Sequence, residues 1–382
     1  MDYDIVVTGL GCAGLSFVYH LLNSPLKNQK ILLIDNDPKQ QNDRTWCYWS
    51  EDPLEIHPRT GPVIYWDKMS ITNGLHSVDK SLGNLKYYQI KSSDFYNHVL
   101  AKIRVQKNIT WILDAVIDIP IINGAPVVRT GNHGVIRGTK IFNSIPLSSK
   151  STKRYLKQVF VGWEIESKNP CFDPKTVTLM DFDSLIDTET AFVYILPFSE
   201  KRGLVEYTIF TKETNIDKTQ LEAKLSSYIK NKLGVEDYKI NFREEGAIPM
   251  STKNNYNQLD HSDLILLGSI AGCTKPSTGY TFHTIQKHSK KVVNSLVNKS
   301  PSKNLKWKRK FRFSFYDNIL LNIACKWPNE LPHLFQDLFQ KNKGRDILLF
   351  LNEETSFLQE LSILIRLKFE VFIKSLLNYE SH

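Results

Sequence analysis

The sequence lacks several features that would assign it to a common class. It has no run of about 18 uncharged apolar residues, so we expect no membrane-spanning helix. Its five cysteines include no CxxC pair, which argues against a zinc site or a thioredoxin-like motif. It also has no P-loop, no nucleophile elbow and no histidine pair with metal-ligand spacing. We therefore expect no bound metal.

Two further absences concern location. The N-terminus carries no secretory leader, because a glycine-rich turn already begins at residue 9. The odd number of cysteines is typical of a reducing compartment. We therefore expect a cytoplasmic protein.

The composition is that of a globular protein with a basic surface. Hydrophobic residues make up 41% of the 382 residues, which is enough to bury a sizeable core and to form two linked domains. The formal net charge of +9 suits a nucleic acid, an anionic membrane surface or an anionic cofactor. Composition alone does not choose among these partners.

The first motif is a glycine-rich turn at the N-terminus. A buried-strand pattern (DIVVT) precedes it, and an apolar stripe over Cys12 to Leu22 predicts the helix that follows. Asp35 ends the next strand, where a carboxylate can accept hydrogen bonds from a ribose. The pattern GxGxxG in this setting predicts dinucleotide binding, with the pyrophosphate at the helix N-terminus. The predicted contacts are Gly9, Gly11, Cys12, Ala13, Gly14 and Asp35.

A second glycine-rich turn follows the apolar strand Leu264 to Leu267. Many FAD enzymes have a GD segment at this place, followed by a proline and a glycine, and its aspartate meets the ribityl chain. Ser269 stands at the position of that aspartate, and its hydroxyl could replace part of the contact. A helix that begins near Thr278 would direct its positive end at the flavin. The predicted contacts are Gly268, Ser269, Gly272, Pro276, Thr278 and Gly279.

These patterns predict an α/β fold: a Rossmann-type FAD-binding domain, an inserted and mainly antiparallel substrate-domain sheet, and a helical C-terminal region. Strand patterns are densest between residues 156 and 212, and the sequence becomes helical from about Thr284. The expected segments are 1–80 for the FAD-binding βαβ unit, 81–250 for the mixed segment with the sheet, 251–300 for the return to the FAD-binding domain, and 301–382 for the C-terminal helices.

Seven further segments occur in the order found in bacterial lycopene cyclases, and the sequence resembles that family. They lie mostly between the two glycine motifs and are spread over the first 285 residues, whereas the last 100 residues match only in character. The matching segments are DRTWCYW from Asp43, QVFVGWEIE from Gln158, FDPKTVTLMDF from Phe172, FVYILPFS from Phe192, LVEYTIF from Leu204, EEGAIPM from Glu244 and TKPSTGYTF from Thr274.

The resemblance implies a reaction. It implies that lycopene, a linear hydrocarbon, is closed at its ends into rings, giving β-carotene by way of γ-carotene in carotenoid biosynthesis. It also implies reduced FAD, NAD(P)H as its source of electrons, and an isomerisation without net redox change. The alternatives are another FAD enzyme of this architecture, such as an aromatic hydroxylase or a prenyl reductase, and a non-enzymatic flavin- or lipid-binding protein.

Proton-initiated ring closure needs a protonated acid in a dry apolar pocket. Glu206 is the first candidate, because it interrupts an otherwise apolar strand and matches the glutamate of the FLEET motif in plant members. Asp181 is the second, with Asp183 two residues on, although a turn aspartate is equally expected. Glu245 is the third. One member of the Glu244–Glu245 pair could reach the pocket, and a solvated pair is as well supported.

Other side chains are expected around this pocket. Arg44 is predicted to touch the cofactor phosphates or to order the adjacent loop. Six aromatic residues are candidates for the pocket wall, although ordinary core packing explains each of them singly. They are Trp46, Tyr48, Trp49, Tyr194, Tyr207 and Tyr280.

The stretch from Gln286 to Tyr316 carries ten Lys or Arg residues and no acid, with aromatic residues interleaved. An anionic membrane surface, a nucleic acid and a plain solvated helix are the three possible explanations. Because the implied substrate is a lipid, we favour peripheral membrane contact and expect no nucleic-acid partner. The apolar stretch from Phe357 to Leu377 carries several charges and predicts a packed or interfacial helix.

Overall fold

A computed structural model describes residues 3–74, 76–147, 155–182, 190–213, 216–253, 261–301 and 305–382. Asp183 lies outside these residues. In the described residues, parallel strands form one sheet in the order β20-β14-β1-β2-β8. Numbered along the chain, these strands are β1 (Tyr3–Thr8), β2 (Ile31–Asp35), β8 (Ile109–Leu113), β14 (Gly138–Asn143) and β20 (Leu264–Leu266).

Helices cover one face of this parallel sheet. Buried side chains of the sheet, such as Val7 and Leu33, belong to the same core as Phe17, Phe95 and Phe282 of the three helices. The helices are α1 (Cys12–Leu22), α2 (Ser92–Arg104) and α4 (Phe282–Val297). A small sheet of β13 (Val135–Ile136), β12 (Val128–Thr130) and β9 (Val116–Asp118) adds Val128 to the core on the other face.

The larger sheet is antiparallel except where β16 pairs with β5, and its strand order is β19-β15-β18-β17-β16-β5-β6. Four of its strands lie between residues 156 and 211, where the sequence predicted an antiparallel sheet. The strands are β5 (Lys68–Asn73), β6 (His76–Ser81), β15 (Leu156–Ser167), β16 (Thr176–Phe182), β17 (Thr190–Pro197), β18 (Arg202–Thr211) and β19 (Tyr238–Met250).

Alternation along these strands sends successive side chains to opposite faces. On β18, Val205 and Tyr207 pack against helix α3 (Lys218–Asn231), whereas Leu204 and Phe210 pack on the other side. That other side is covered by the C-terminal helices. They are α5 (Phe311–Lys326), α6 (Leu331–Lys341), α7 (Gly344–Leu351), α8 (Phe357–Leu364) and α9 (Phe369–Leu377).

The remaining strands form two smaller sheets. One has the order β3-β7-β4 and lies between the two large sheets, because its Tyr88 joins the core of the parallel sheet and its Tyr87 joins the core of the antiparallel one. Its strands are β3 (Thr45–Ser50), β4 (Ile64–Trp66) and β7 (Lys86–Lys91), and the other sheet pairs β10 (Ile121–Ile122) with β11 (Ala125–Pro126).

The predicted fold class is confirmed: a parallel nucleotide-binding sheet, a mainly antiparallel sheet and C-terminal helices are all present. The division of the chain at residues 80, 250 and 300 stays a prediction, and β8 and β14 of the parallel sheet lie within the 81–250 segment. Among the described helices, none combines the length and the hydropathy needed to cross a bilayer.

Candidate active site

The first glycine motif forms a tight turn between β1 and α1. Gly9 has a φ of +83°, and a Cβ on Gly14 would lie 1.9 Å from the Gly9 carbonyl oxygen, so both positions need glycine. A Cβ on Gly11 would meet no atom within 4 Å, so the space beside it is open. The N–H of Leu10 donates to Asp35 Oδ2 at 2.5 Å, which joins the turn to the end of β2.

The second glycine motif packs directly on the first. A 3₁₀ helix (Gly268–Ala271) follows β20, and Gly268 has a φ of +67°. A Cβ on Gly268 would lie 2.6 Å from the Cβ of Ala13 at the start of α1. Gly272 ends the 3₁₀ helix with a φ of +82°. Gly279, with a φ of +77°, lies against Gln158 and Ile248 of the antiparallel sheet.

A cavity of about 390 Å³ extends from these motifs to the antiparallel sheet. Cys12 and Ser269 line it at one end, and the aliphatic and aromatic side chains of the sheet and of the C-terminal helices line most of the rest. Among its lining residues, Glu206 and Glu244 are the carboxylic acids and Arg44 is the cation. The apolar wall includes Ile71, Phe160, Leu179, Met180, Phe192, Leu204, Ile248, Phe335, Phe339 and Leu351.

Glu244 is buried, and Glu206 is half-buried with its carboxyl facing the cavity. Burial and, to a smaller extent, repulsion from Glu244 together raise the pKa of Glu206 to about 8. The Thr208 hydroxyl, which donates to Glu206 Oε1 at 3.0 Å, acts in the opposite direction. The pKa of Glu244 is raised to about 7, chiefly by burial. The Thr45 N–H, which donates to Glu244 Oε2 at 2.9 Å, lowers this pKa and so limits the rise. Glu206 is therefore protonated at neutral pH.

Asp181 and Glu245 lie on the opposite face of the sheet, toward α3. Tyr228 of α3 donates to Asp181 Oδ2 at 2.5 Å, and Lys218 of α3 forms an ion pair with Glu245. Because neighbouring residues of a strand point to opposite faces, Glu244 and Glu245 cannot both reach the cavity. The geometry does not support the catalytic roles expected for Asp181 and Glu245, and these roles stay predictions.

With this geometry established, comparison with known proteins assigns the chain to a family. The family model described as lycopene cyclase protein matches residues 4–378, nearly the whole chain. The chain belongs to the lycopene cyclase family. Two curated relatives, both lycopene beta-cyclases, are similar to it. That of Pantoea ananas is 22% identical and aligns over 73% of this chain and 71% of its own length, and that of a Paracoccus species is 25% identical over 74% and 70%.

Solved structures support the fold of this lycopene cyclase family member. A geranylgeranyl bacteriochlorophyll reductase-like protein from Thermoplasma acidophilum has a TM-score of 0.63 at 13% identity, with 98% of both chains covered. The halogenase PltM, in complex with phloroglucinol and FAD, has a TM-score of 0.54 at 10% identity and covers 92% of this chain and 79% of its own. At these identities the likeness shows the fold alone.

The predicted aromatic residues of this family member divide into two groups. Trp46, Tyr194 and Tyr280 line the cavity, whereas Tyr48, Trp49 and Tyr207 are packed in the cores. The hydroxyls of Tyr194 and Tyr280 each lie 2.8 Å from that of Tyr87, and the Tyr194 hydroxyl donates to Cys47 Sγ at 3.3 Å. Burial raises the pKa of all three tyrosines, so this side of the cavity is uncharged at neutral pH.

The other predicted cofactor contacts border the two motifs. Asp35 is buried and paired with Lys39 at 3.3 Å, and Arg44 reaches the cavity beside Glu244. Ser269 accepts a hydrogen bond from Thr274 at 3.1 Å, and Pro276 is buried in the turn. The hydroxyl of Thr278, which faces the cavity, is buried and has no hydrogen-bond partner among the described residues.

Three features of the site were missed at the level of sequence. Tyr87 was not singled out, and neither was the main-chain N–H of Thr45. Gly162 lies within one of the matching segments, but its place between Glu206 and Glu244, with both of which it pairs in register, was not predicted. A glycine inside an otherwise bulky strand is the local signal that could have marked it, because such a glycine often indicates a close approach.

Several basic residues of the stretch from Gln286 to Tyr316 form ion pairs within the molecule. Lys287 pairs with Glu354 at 2.5 Å, Arg309 with Glu353 at 2.6 Å and Arg312 with Glu360 at 2.8 Å. Arg312 lies at the start of α5 and Glu360 in α8, so this pair fixes the end of the basic stretch beside the last two helices. Within the described ranges no cluster of His, Cys, Asp and Glu could hold a metal ion.

Proposed function

We propose that this protein cyclises the ends of lycopene to β-rings, giving β-carotene by way of γ-carotene, without net oxidation or reduction. One observation carries the proposal: in a member of the lycopene cyclase family, the Glu206 carboxyl faces a mainly apolar cavity beside the second glycine motif. Burial raises the pKa of Glu206 to about 8, so the acid that ring closure needs is present at neutral pH.

Ring closure consumes one proton and releases one proton. Glu206 donates its proton to the terminal double bond, a carbon–carbon bond then closes the ring, and loss of a proton from the ring leaves a new double bond. The positive charge that forms in between needs an electron-rich and dry surrounding. The faces of Trp46, Tyr194 and Tyr280 offer this, since aromatic rings attract cations.

The residues of the two glycine motifs fit FAD. The open space beside Gly11 and the N-terminus of α1 suit the pyrophosphate, and the Asp35 carboxylate suits the adenosine ribose. The Thr278 hydroxyl without a partner offers a hydrogen bond to the flavin end. Reduced FAD, when bound, supplies an electron-rich ring beside the cationic substrate. The FAD of the halogenase PltM supports this cofactor by likeness of fold, and NAD(P)H is the proposed reductant.

The protein meets its lipid-soluble substrate at a membrane surface. The support is an apolar face on the two last helices, where residues at helical spacing point outward: Leu358 is 75% exposed and Leu377 is 82% exposed. The other members of this C-terminal apolar face are Phe357, Leu361, Ile365, Phe369, Ile373 and Leu376. Arg366, Lys368 and Lys374 stand beside it, which suits an anionic bilayer.

Expression in a lycopene-accumulating cell tests the proposal. The wild-type chain should convert lycopene to β-carotene, seen by pigment chromatography, and Glu206→Gln should abolish conversion while the purified protein keeps its flavin. Glu166→Gln, the same change at an exposed site of β15, is the matched control and should convert lycopene fully. Persistence of conversion in the Glu206→Gln variant would remove this residue from the mechanism.

An oxidoreductase of the same architecture, such as a prenyl reductase, is the alternative. Such an enzyme consumes NAD(P)H in proportion to product. The purified, flavin-reduced protein should instead complete many turnovers of lycopene without further NAD(P)H oxidation. Stoichiometric oxidation with a hydrogenated product would identify the reductase.

A further inference from the structure

Glu206 and Glu244 are separated by a glycine. Gly162 of the central strand β15 pairs in register with Glu206 on one side and with Glu244 on the other. Paired residues share a face of the sheet, and strands lie about 4.8 Å apart, so the two glutamates stand two strand spacings apart on the cavity side. A Cβ on Gly162 would lie 3.2 Å from Glu244 Cγ and 3.5 Å from Glu206 Cγ. Both side chains therefore lean over the space that Gly162 leaves.

The two carboxyls have unequal hydrogen-bond partners. Glu244 accepts from a main-chain N–H, a donor that cannot reverse its direction and that favours a charged carboxylate. Glu206 accepts from the Thr208 hydroxyl, which can rotate and can instead accept a hydrogen bond from a neutral carboxyl. The negative charge is therefore better accommodated on Glu244 and the proton on Glu206.

No other charged or titratable group named for this site accounts for the repulsion that acts on Glu206. Arg44 and Asp43 act on Glu244 from the start of β3 with opposite signs, and Cys47, Tyr194 and Tyr280 are neutral at neutral pH. On the same face of β15, Glu164 is already paired with Lys91 at 3.0 Å and Arg202 at 3.3 Å. The nearest uncompensated repulsion on Glu206 comes from Glu244.

We infer that Glu206 and Glu244 act as one carboxyl pair over Gly162, in which Glu244 loses its proton first and Glu206 keeps the proton that it donates. This inference rests on the proposed function for its role in catalysis. Glu244 keeps Glu206 protonated through repulsion, and its own negative charge faces the cavity in which the substrate becomes cationic. When Glu206 has donated its proton, the proton that the ring releases restores it, so each closure leaves the pair unchanged.

The pair can be tested on holoenzyme that contains ¹³C-labelled glutamate, by infrared titration of the protonated carboxyl band. The Glu206 band is the one lost in Glu206→Gln. In Glu244→Gln the amide oxygen can still accept the Thr45 N–H while the charge is gone, so the midpoint of the Glu206 band should fall by about one pH unit. Glu166→Gln, the exposed control on β15, should leave it in place.

A second variant covers the case in which Glu244→Gln does not fold. Glu244→Ala removes the same charge, so the Glu206 midpoint should fall by a similar amount. Unchanged midpoints in both variants would overturn the pair while leaving lycopene cyclisation by Glu206 intact. Absence of lycopene conversion by the wild-type chain would overturn the proposed function, and the infrared shifts would still report on the pair.

Discussion

Gly268 lies so close to Ala13 that a Cβ at position 268 would come within 2.6 Å of the Ala13 Cβ. The two glycine motifs, which are more than 250 residues apart in the sequence, are thus in direct contact. Their contact places the end of β20 beside the start of α1, which is where the proposed flavin site begins. The two motifs can approach this closely only because residue 268 is a glycine and has no side chain.

We expect Gly268→Ala to lower the free energy of unfolding by about 2–4 kcal/mol, because the new methyl group overpacks the contact and the positive φ is strained. Gly234→Ala is the matched control: it has the same φ of +67° but meets nothing within 4 Å, so only about 1 kcal/mol should be lost. Denaturant unfolding measures both, and flavin absorbance per chain should fall only in Gly268→Ala. Equal losses would show that the contact with Ala13 is unimportant.

Stability should depend on pH through Glu206. Its folded pKa lies above the ordinary value of 4.5, so the folded state binds more protons than the unfolded state between pH 4.5 and about 8. Stability is therefore lost as pH rises through this window. Glu206→Gln removes the penalty and should stabilise the protein at pH 9 by on the order of 1–3 kcal/mol, with little effect at pH 4. Thermal unfolding at pH 4 and pH 9 measures whether Glu206→Gln stabilises the protein only at the higher pH. Glu166→Gln, the exposed control, should change stability little at either pH.

The change from Glu to Gln should reduce the cyclisation rate at position 244 but not at position 245. Glu244 faces the cavity and has a pKa of about 7, so at pH 8 Glu244→Gln removes a charge beside the cation and should reduce the rate of lycopene cyclisation about tenfold or more. Glu245 is paired with Lys218 on the far face, so Glu245→Gln should keep the rate within about twofold, since surface ion pairs contribute little. A loss in Glu245→Gln instead would restore the role that the sequence predicted for it.

Removal of apolar side chains from the C-terminal apolar face should weaken membrane binding. Leu358→Gln and Leu377→Gln should each reduce partition onto vesicles with anionic lipid about tenfold, because burial of a leucine contributes about 1.5–3 kcal/mol. Leu113→Gln, at a leucine that is 56% exposed on β8, is the control and should bind normally. Vesicle co-sedimentation measures all three. Equal partition of all variants would exclude this face as the contact.

Local patterns predicted the parts of the fold that depend on local physics. The helix expected over Cys12 to Leu22 is α1 itself, because a glycine turn and an apolar stripe define both of its ends. Helix α3 begins at Lys218, before its first buried apolar residue, Leu221. Asp217 caps it by accepting the Thr219 N–H at 2.9 Å, and this capping signal had been overlooked.

Long-range pairing could not be predicted in this way. The parallel pairing of β5 with β16 joins segments about a hundred residues apart, and nothing in either segment selects the other. The relation of Glu206 and Glu244 to Gly162 likewise requires the strand order β19-β15-β18. The sequence thus singled out Glu206, whereas Glu244 as its neighbour and the glycine between them became visible only in the assembled sheet.

The cavity has walls of two different origins. Its carboxyls come from the antiparallel sheet, whereas Phe335, Phe339 and Leu351 come from α6 and α7 near the end of the chain. The acid chemistry and the shape of the chamber are therefore encoded separately. We therefore expect exchange of a few bulky groups in the tail to change which hydrocarbon terminus the proposed enzyme admits, and how tightly it is folded before attack, without altering the proposed proton donor.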